Sequence, residues 1–79
     1  AYNDAILYSK KTISCLEKLP KTDPVQRKTI DERVALAGHY LNLGDYFEAK
    51  EAVIPIVNLA VKMNYHKRVP TIYTALGNY

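Results

Sequence analysis

Apolar residues recur at three- and four-residue steps along most of this chain, which is the spacing of one face of an α-helix. Between residues 2 and 19, Ala5, Ile6, Ile13, Leu16 and Leu19 keep that spacing with no internal Gly or Pro, and the pattern predicts one amphipathic helix. Pro20 and the turn-forming Lys21-Thr22-Asp23-Pro24 end it. Asp23 followed by Pro24 is the expected N-cap and first turn of a second helix, from about Pro24 to Leu43. Gly44 closes that helix and Asp45 is the expected cap of a third, from about Tyr46 to Met63.

The third segment carries two apolar stripes. Ala49, Val53, Ile56, Ala60 and Met63 form one, and Ile54, Val57 and Val61 the other. A helix apolar on two sides is expected to be covered on two sides, by its own partner and by the element that follows. Pro55 lies inside this segment, removes one backbone donor and crowds the carbonyl of Glu51, so a bend or break is expected between Glu51 and Pro55. Asn64-Tyr65-His66 makes the next turn. A fourth helix is expected to begin between Lys67 and Pro70 and to run on to Tyr79, so the chain reads as a slice of a longer array.

Composition narrows the picture. The 79 residues, 48% apolar and 24% charged, suit one ordinary folded domain and not a disordered tail. A chain of this length buries only about 60% of its unfolded surface, so its core has little stability in reserve. The net charge of +3 is spread over short pairs, Lys10-Lys11, Arg27-Lys28 and Lys67-Arg68, which argues against a dedicated nucleic-acid surface. Lys50, Glu51, Asn58 and Lys62 interrupt the most apolar stretch, no signal peptide opens the chain, and a cytoplasmic setting without membrane contact is expected. Cys15 is the single cysteine, which excludes an internal disulfide and a cysteine-rich zinc site.

An internal repeat is visible. Tyr2-Asn-Asp-Ala5 echoes Tyr46-Phe-Glu-Ala49 at a separation of 44 residues, and Arg33-x-x-Leu36-Ala37 echoes Tyr73-x-x-Leu76-Gly77 at 40. Leu36-Ala37-x-x-Tyr40, Gly44-x-Tyr46-x-x-Ala49 and Tyr73-x-x-Leu76-Gly77 together resemble the tetratricopeptide repeat (TPR) signature, in a form longer than the common unit of about 34 residues. Arg33 stands where a bulky aromatic is usual, Val53 replaces another aromatic, and no proline closes the unit after Met63. The long period is similar to that of degenerate TPR arrays in multidomain bacterial signalling proteins. The resemblance implies an all-α fold of antiparallel hairpins stacked as a fragment of an α-solenoid, with about four helices. Residues 2–19 would be the second helix of one repeat, 24–63 a full hairpin, and 67–79 the start of the next.

It also implies a protein-protein interaction or scaffolding module, with the partner lying on the first helix of each hairpin. Val34, Gly38, Leu41 and Asn42 would then line the groove with Thr71, Thr74 and Asn78; only the two asparagines offer bidentate backbone recognition. An equal reading has Val34 and Leu41 packing against the preceding helix.

No catalytic, cofactor or metal site is read from the residues. His39 and His66 lack acidic or cysteine partners at ligand spacing, Cys15 has no histidine on its own helix, and the three glycines are isolated and form no phosphate-cradling loop. Glu17, Asp31, Glu32, Glu48 and Glu51 sit on helices beside basic residues and read as solvated faces. Tyr2, Tyr40, Tyr46 and Tyr73 read as packing residues, Tyr8, Tyr65 and Tyr79 as freer ones. The alternative class is a small basic helical nucleic-acid-binding domain using Lys62 to Arg68 with Arg27-Lys28. Open repeat ends, with Ile6, Ile13, Val57, Val61, Ile72 and Leu76 underburied, would favour self-association.

Overall fold

The computed structural model describes residues 2–65, 67 and 69–77. It is all-α, with helices α1 (Tyr2–Glu17), α2 (Asp23–Leu43), α3 (Tyr46–Val53), α4 (Val57–Lys62) and α5 (Val69–Leu76). A single 3-10 turn, Ile54–Ile56, separates α3 from α4, so the two are one helix interrupted and the domain has four helical arms packed antiparallel.

Local chemistry accounts for most boundaries. Leu19 and Lys18 lie outside α1, whose last turn is tightened by bonds from the Lys18 and Leu19 amides to the Cys15 and Leu16 carbonyls. The cap of α2 is Thr22 and not Asp23: the Thr22 hydroxyl accepts from the Val25 amide at 3.4 Å, and Asp23 and Pro24 fill the first turn. Gly44 takes the left-handed conformation, φ 78°, and its amide and that of Asp45 return to the Leu41 and Tyr40 carbonyls. That is the glycine-terminated helix end expected. Asp45 occupies the cap position of α3, but its side chain makes no capping bond; only its carbonyl serves, accepting from the Ala49 amide at 3.0 Å.

The break falls where Pro55 requires it. Pro55 has no amide to donate to Glu51, and the Val57 amide returns three residues to Ile54 instead of four. The α5 helix begins at Val69 and stops at Leu76, where Gly77 adopts φ 83°. Gly77 thus ends the helix short of the continuation expected, and Asn78 and Tyr79 lie outside the described residues.

The α2 helix is the centre of the domain, lying against α1 on one side and α3 on the other, while α5 packs on both α2 and α3. Ile30, Val34, Leu36, Ala37 and Tyr40 of α2 meet Ile13 from α1, Ala49, Val53 and Ile56 from the third arm, and Ile72 and Ala75 from α5. The first stripe of the third arm is this core, with Ala49, Val53 and Ala60 fully buried. In the second, Val57 is half-buried against the core, but Ile54 and Val61 are 48% and 55% exposed. The helix is therefore covered on one side, because α2 and α5 approach the same stripe. Ile13 and Ile72, expected to be underburied, are only 6% and 2% exposed. The Cα atoms span 33 × 28 × 16 Å, a thin slab in which each arm keeps an outward face.

Candidate functional site

The residues expected to line a groove fall on neighbouring helices. Val34, Gly38 and Leu41 follow one line along α2, Thr71 and Thr74 one line along α5, and the two helices are in contact. Their accessibility differs. Val34 is 5% exposed and belongs to the core, so it offers almost nothing to a ligand. Leu41 is half-buried against the core. Asn42 and Thr74 are exposed, Thr71 is half-buried, and the Thr74 hydroxyl donates to the Pro70 carbonyl at 3.0 Å. A Cβ placed on Gly38 would meet nothing within 4 Å, so open space stands above that position. Asn78 lies outside the described residues. Of this set, Asn42 and Thr74 keep exposed side chains, and Gly38 and Thr71 are partly accessible.

A better-formed hollow lies on the other side of α2, between α1 and α3. Its floor is Ile13, Leu36, Tyr40 and Ala52, all buried. Its walls carry Lys10, Ser14 and Glu17 from α1 and Glu48 and Glu51 from α3. The volume is about 260 Å³, below the ~300–1,000 Å³ usual for small-molecule sites, so it suits a side chain more than a cofactor.

Both ends of this cleft are marked by a cation. At one end the Lys10 ammonium sits 5.9 Å from the centroid of the Tyr40 ring. At the other, Arg33 donates to the Ala52 carbonyl at 3.1 Å and to Glu17 at 3.3 Å, tying α1 to α3 across α2. Beyond this bar a second hollow opens, lined by Glu17, Lys21, Gln26, Thr29, Arg33, Pro55, Ile56 and Leu59. Sequence reasoning missed the bar. Its only trace was a guanidinium between Ile30, Val34 and Leu36, where a bulky apolar residue would be ordinary.

The basic residues proposed for phosphate contact are partly engaged within the fold. Lys28 pairs with Glu32 at 3.3 Å, and the Arg27 guanidinium stacks 5.8 Å from the centroid of Tyr65. Arg27 and Lys62 line one hollow together with the acidic Asp23. Arg68 and His66 lie outside the described residues. Cys15 is exposed, and His39 is half-buried on α2. Among the described residues no three metal-binding side chains cluster, and no helix is long and apolar enough to cross a membrane.

No family model, no curated protein and no solved structure matches this chain.

Proposed function

We propose that this chain is a protein-binding or scaffolding segment of a TPR-like helical stack, working in the cytoplasm without catalysis of its own. A peptide or partner domain would lie along α2 and α5 over Gly38, Asn42, Thr71 and Thr74. The observation that carries this reading is the seat of α5. It packs on both α2 and α3, which is where the first helix of a following repeat lies against both helices of the hairpin before it. The open space above Gly38 supports it further, because a groove that takes a backbone needs a position without a side chain.

The test is selection of binders from a random peptide library on the ¹⁵N-labelled chain, followed by amide shift mapping. Perturbations centred on Gly38, Asn42 and Thr74 are expected, and binding should fall when Gly38 is replaced by Lys. Perturbations that spare these amides would sink the groove assignment. Titration with duplex DNA separates the nucleic-acid alternative, whose affinity would fall steeply with salt and centre on Arg27 and Lys62.

A further inference from the structure

Three large apolar side chains that stand in solvent lie one helical turn from residues lining the α1–α3 cleft. Leu7 is 54% exposed, Leu43 44% and Phe47 70%. Leu7 precedes Lys10 by one turn of α1, Leu43 follows Tyr40 by one turn of α2, and Phe47 precedes Glu51 by one turn of α3. Since Lys10 and Tyr40 mark one end of the cleft and Glu17 with Arg33 the other, these positions extend it past the Tyr40 end.

The two walls differ in charge. On α1, Glu17 is matched by Arg33, which leaves Lys10 as the outstanding charge facing the cleft. On α3, Glu48 and Glu51 face it, and neither has an ion-pair partner among the described residues. A positive wall, a negative wall and an apolar end make a surface that complements its own copy under one particular two-fold. Rotation about an axis parallel to α2 sets α1 of each copy against α3 of the other, so Lys10 meets Glu48 and Leu7 meets Phe47 twice over. Rotation about the other axis in that plane would set Lys10 on Lys10 and glutamate on glutamate, which like-charge repulsion disfavours.

We propose that this cleft mouth is a homodimer interface, in which Phe47 of each copy covers Leu7 of the other and Lys10 pairs with Glu48 and Glu51 across the two-fold. It is a different surface from the α2–α5 face and does not depend on the repeat assignment. An unrelated partner would have to carry a matching charge pattern of its own, whereas a second copy supplies it by symmetry. The patch is small and its charges exposed, so the dimer is weak and sensitive to salt.

Sedimentation equilibrium on the full chain, from micromolar to millimolar protein and at low and high salt, reads this directly. A monomer–dimer equilibrium that weakens with salt is expected. Phe47→Ser should weaken it roughly tenfold or more, and Leu7→Ser should act alike. Lys10→Glu and Glu48→Lys should each weaken it singly and together return it to the wild-type order of magnitude. All four positions are exposed, so each variant should keep its helix content, which circular dichroism would check. A wild type that stays monomeric at millimolar concentration overturns the proposal. So does a dimer indifferent to both serine variants, or a double charge swap no better than the singles.

Discussion

The Tyr65 hydroxyl donates to both carboxylate oxygens of Asp31, at 2.9 and 3.2 Å, and so fastens the turn after α4 to the middle of α2. The Arg27 guanidinium lies against the same ring. A hydrogen bond to a charged group that is part-buried contributes more than a surface ion pair, and Tyr65→Phe should lower stability by about 1–2 kcal/mol. Urea unfolding would show it as a lower midpoint at unchanged slope. An unmoved midpoint would mean that water serves Asp31 equally well.

Arg33 and Glu17 form one ion pair, yet their two truncations should differ. The Arg33 side chain is 17% exposed and also holds the Ala52 carbonyl, whereas Glu17 is 56% exposed. Arg33→Ala removes a backbone partner and the methylene packing over the cleft floor, at about 2 kcal/mol. Glu17→Gln should cost less than about 0.5 kcal/mol, as exposed pairs do. Equal losses in thermal or urea denaturation would place the stabilisation in the pair itself.

Gly38 within α2 and Gly44 at its C-terminal cap should respond with opposite sign. Gly38 sits inside the helix with open space above it, so Gly38→Ala should raise stability by about 0.5–1 kcal/mol. Gly44 holds φ 78° at the helix end, and Gly44→Ala should cost about 1 kcal/mol. A melt of both variants beside the wild type decides the matter.

Ile30 is fully buried at the meeting point of the arms. Ile30→Ala leaves a cavity that costs about 2–5 kcal/mol, against a total of only roughly 4–12 kcal/mol for a chain of this length. The variant should therefore lose a large share of its stability, with a urea midpoint well below that of the wild type. A cooperative transition near the wild-type midpoint would show that the arms close around the gap.

What the sequence made legible was local. Pro55 announces its break because the missing donor acts on its own helix whatever surrounds it, and Gly44 announces its turn for the same reason. The stripe from Ala49 to Ala60 was readable because helical spacing alone gathers it on one side. Which stripes find cover depends on where other helices arrive, and no local pattern encodes that: Ile54 and Val61 look as apolar as Val53 yet face solvent. Tyr65 read as a free tyrosine because its acceptor is on α2, far away in sequence. The cleft was invisible for the same reason, since its walls come from three different helices. Of the groove residues that the repeat resemblance implied, Asn42 and Thr74 are exposed and Gly38 half-buried, while Val34 turns inward, a difference that depends on which neighbouring helix covers each position.

The central place of α2 has a consequence for the order of assembly. Its contacts with α1 and α3 are with sequence neighbours joined by short connections, so little chain entropy opposes them and that three-helix unit should form early. The α5 helix arrives last, contributing Ile72 and Ala75 to a surface already in place. It is then also the first part to open, and amide exchange should find α5 unprotected at a free energy below that of global unfolding, with α2 the slowest to trade its protons.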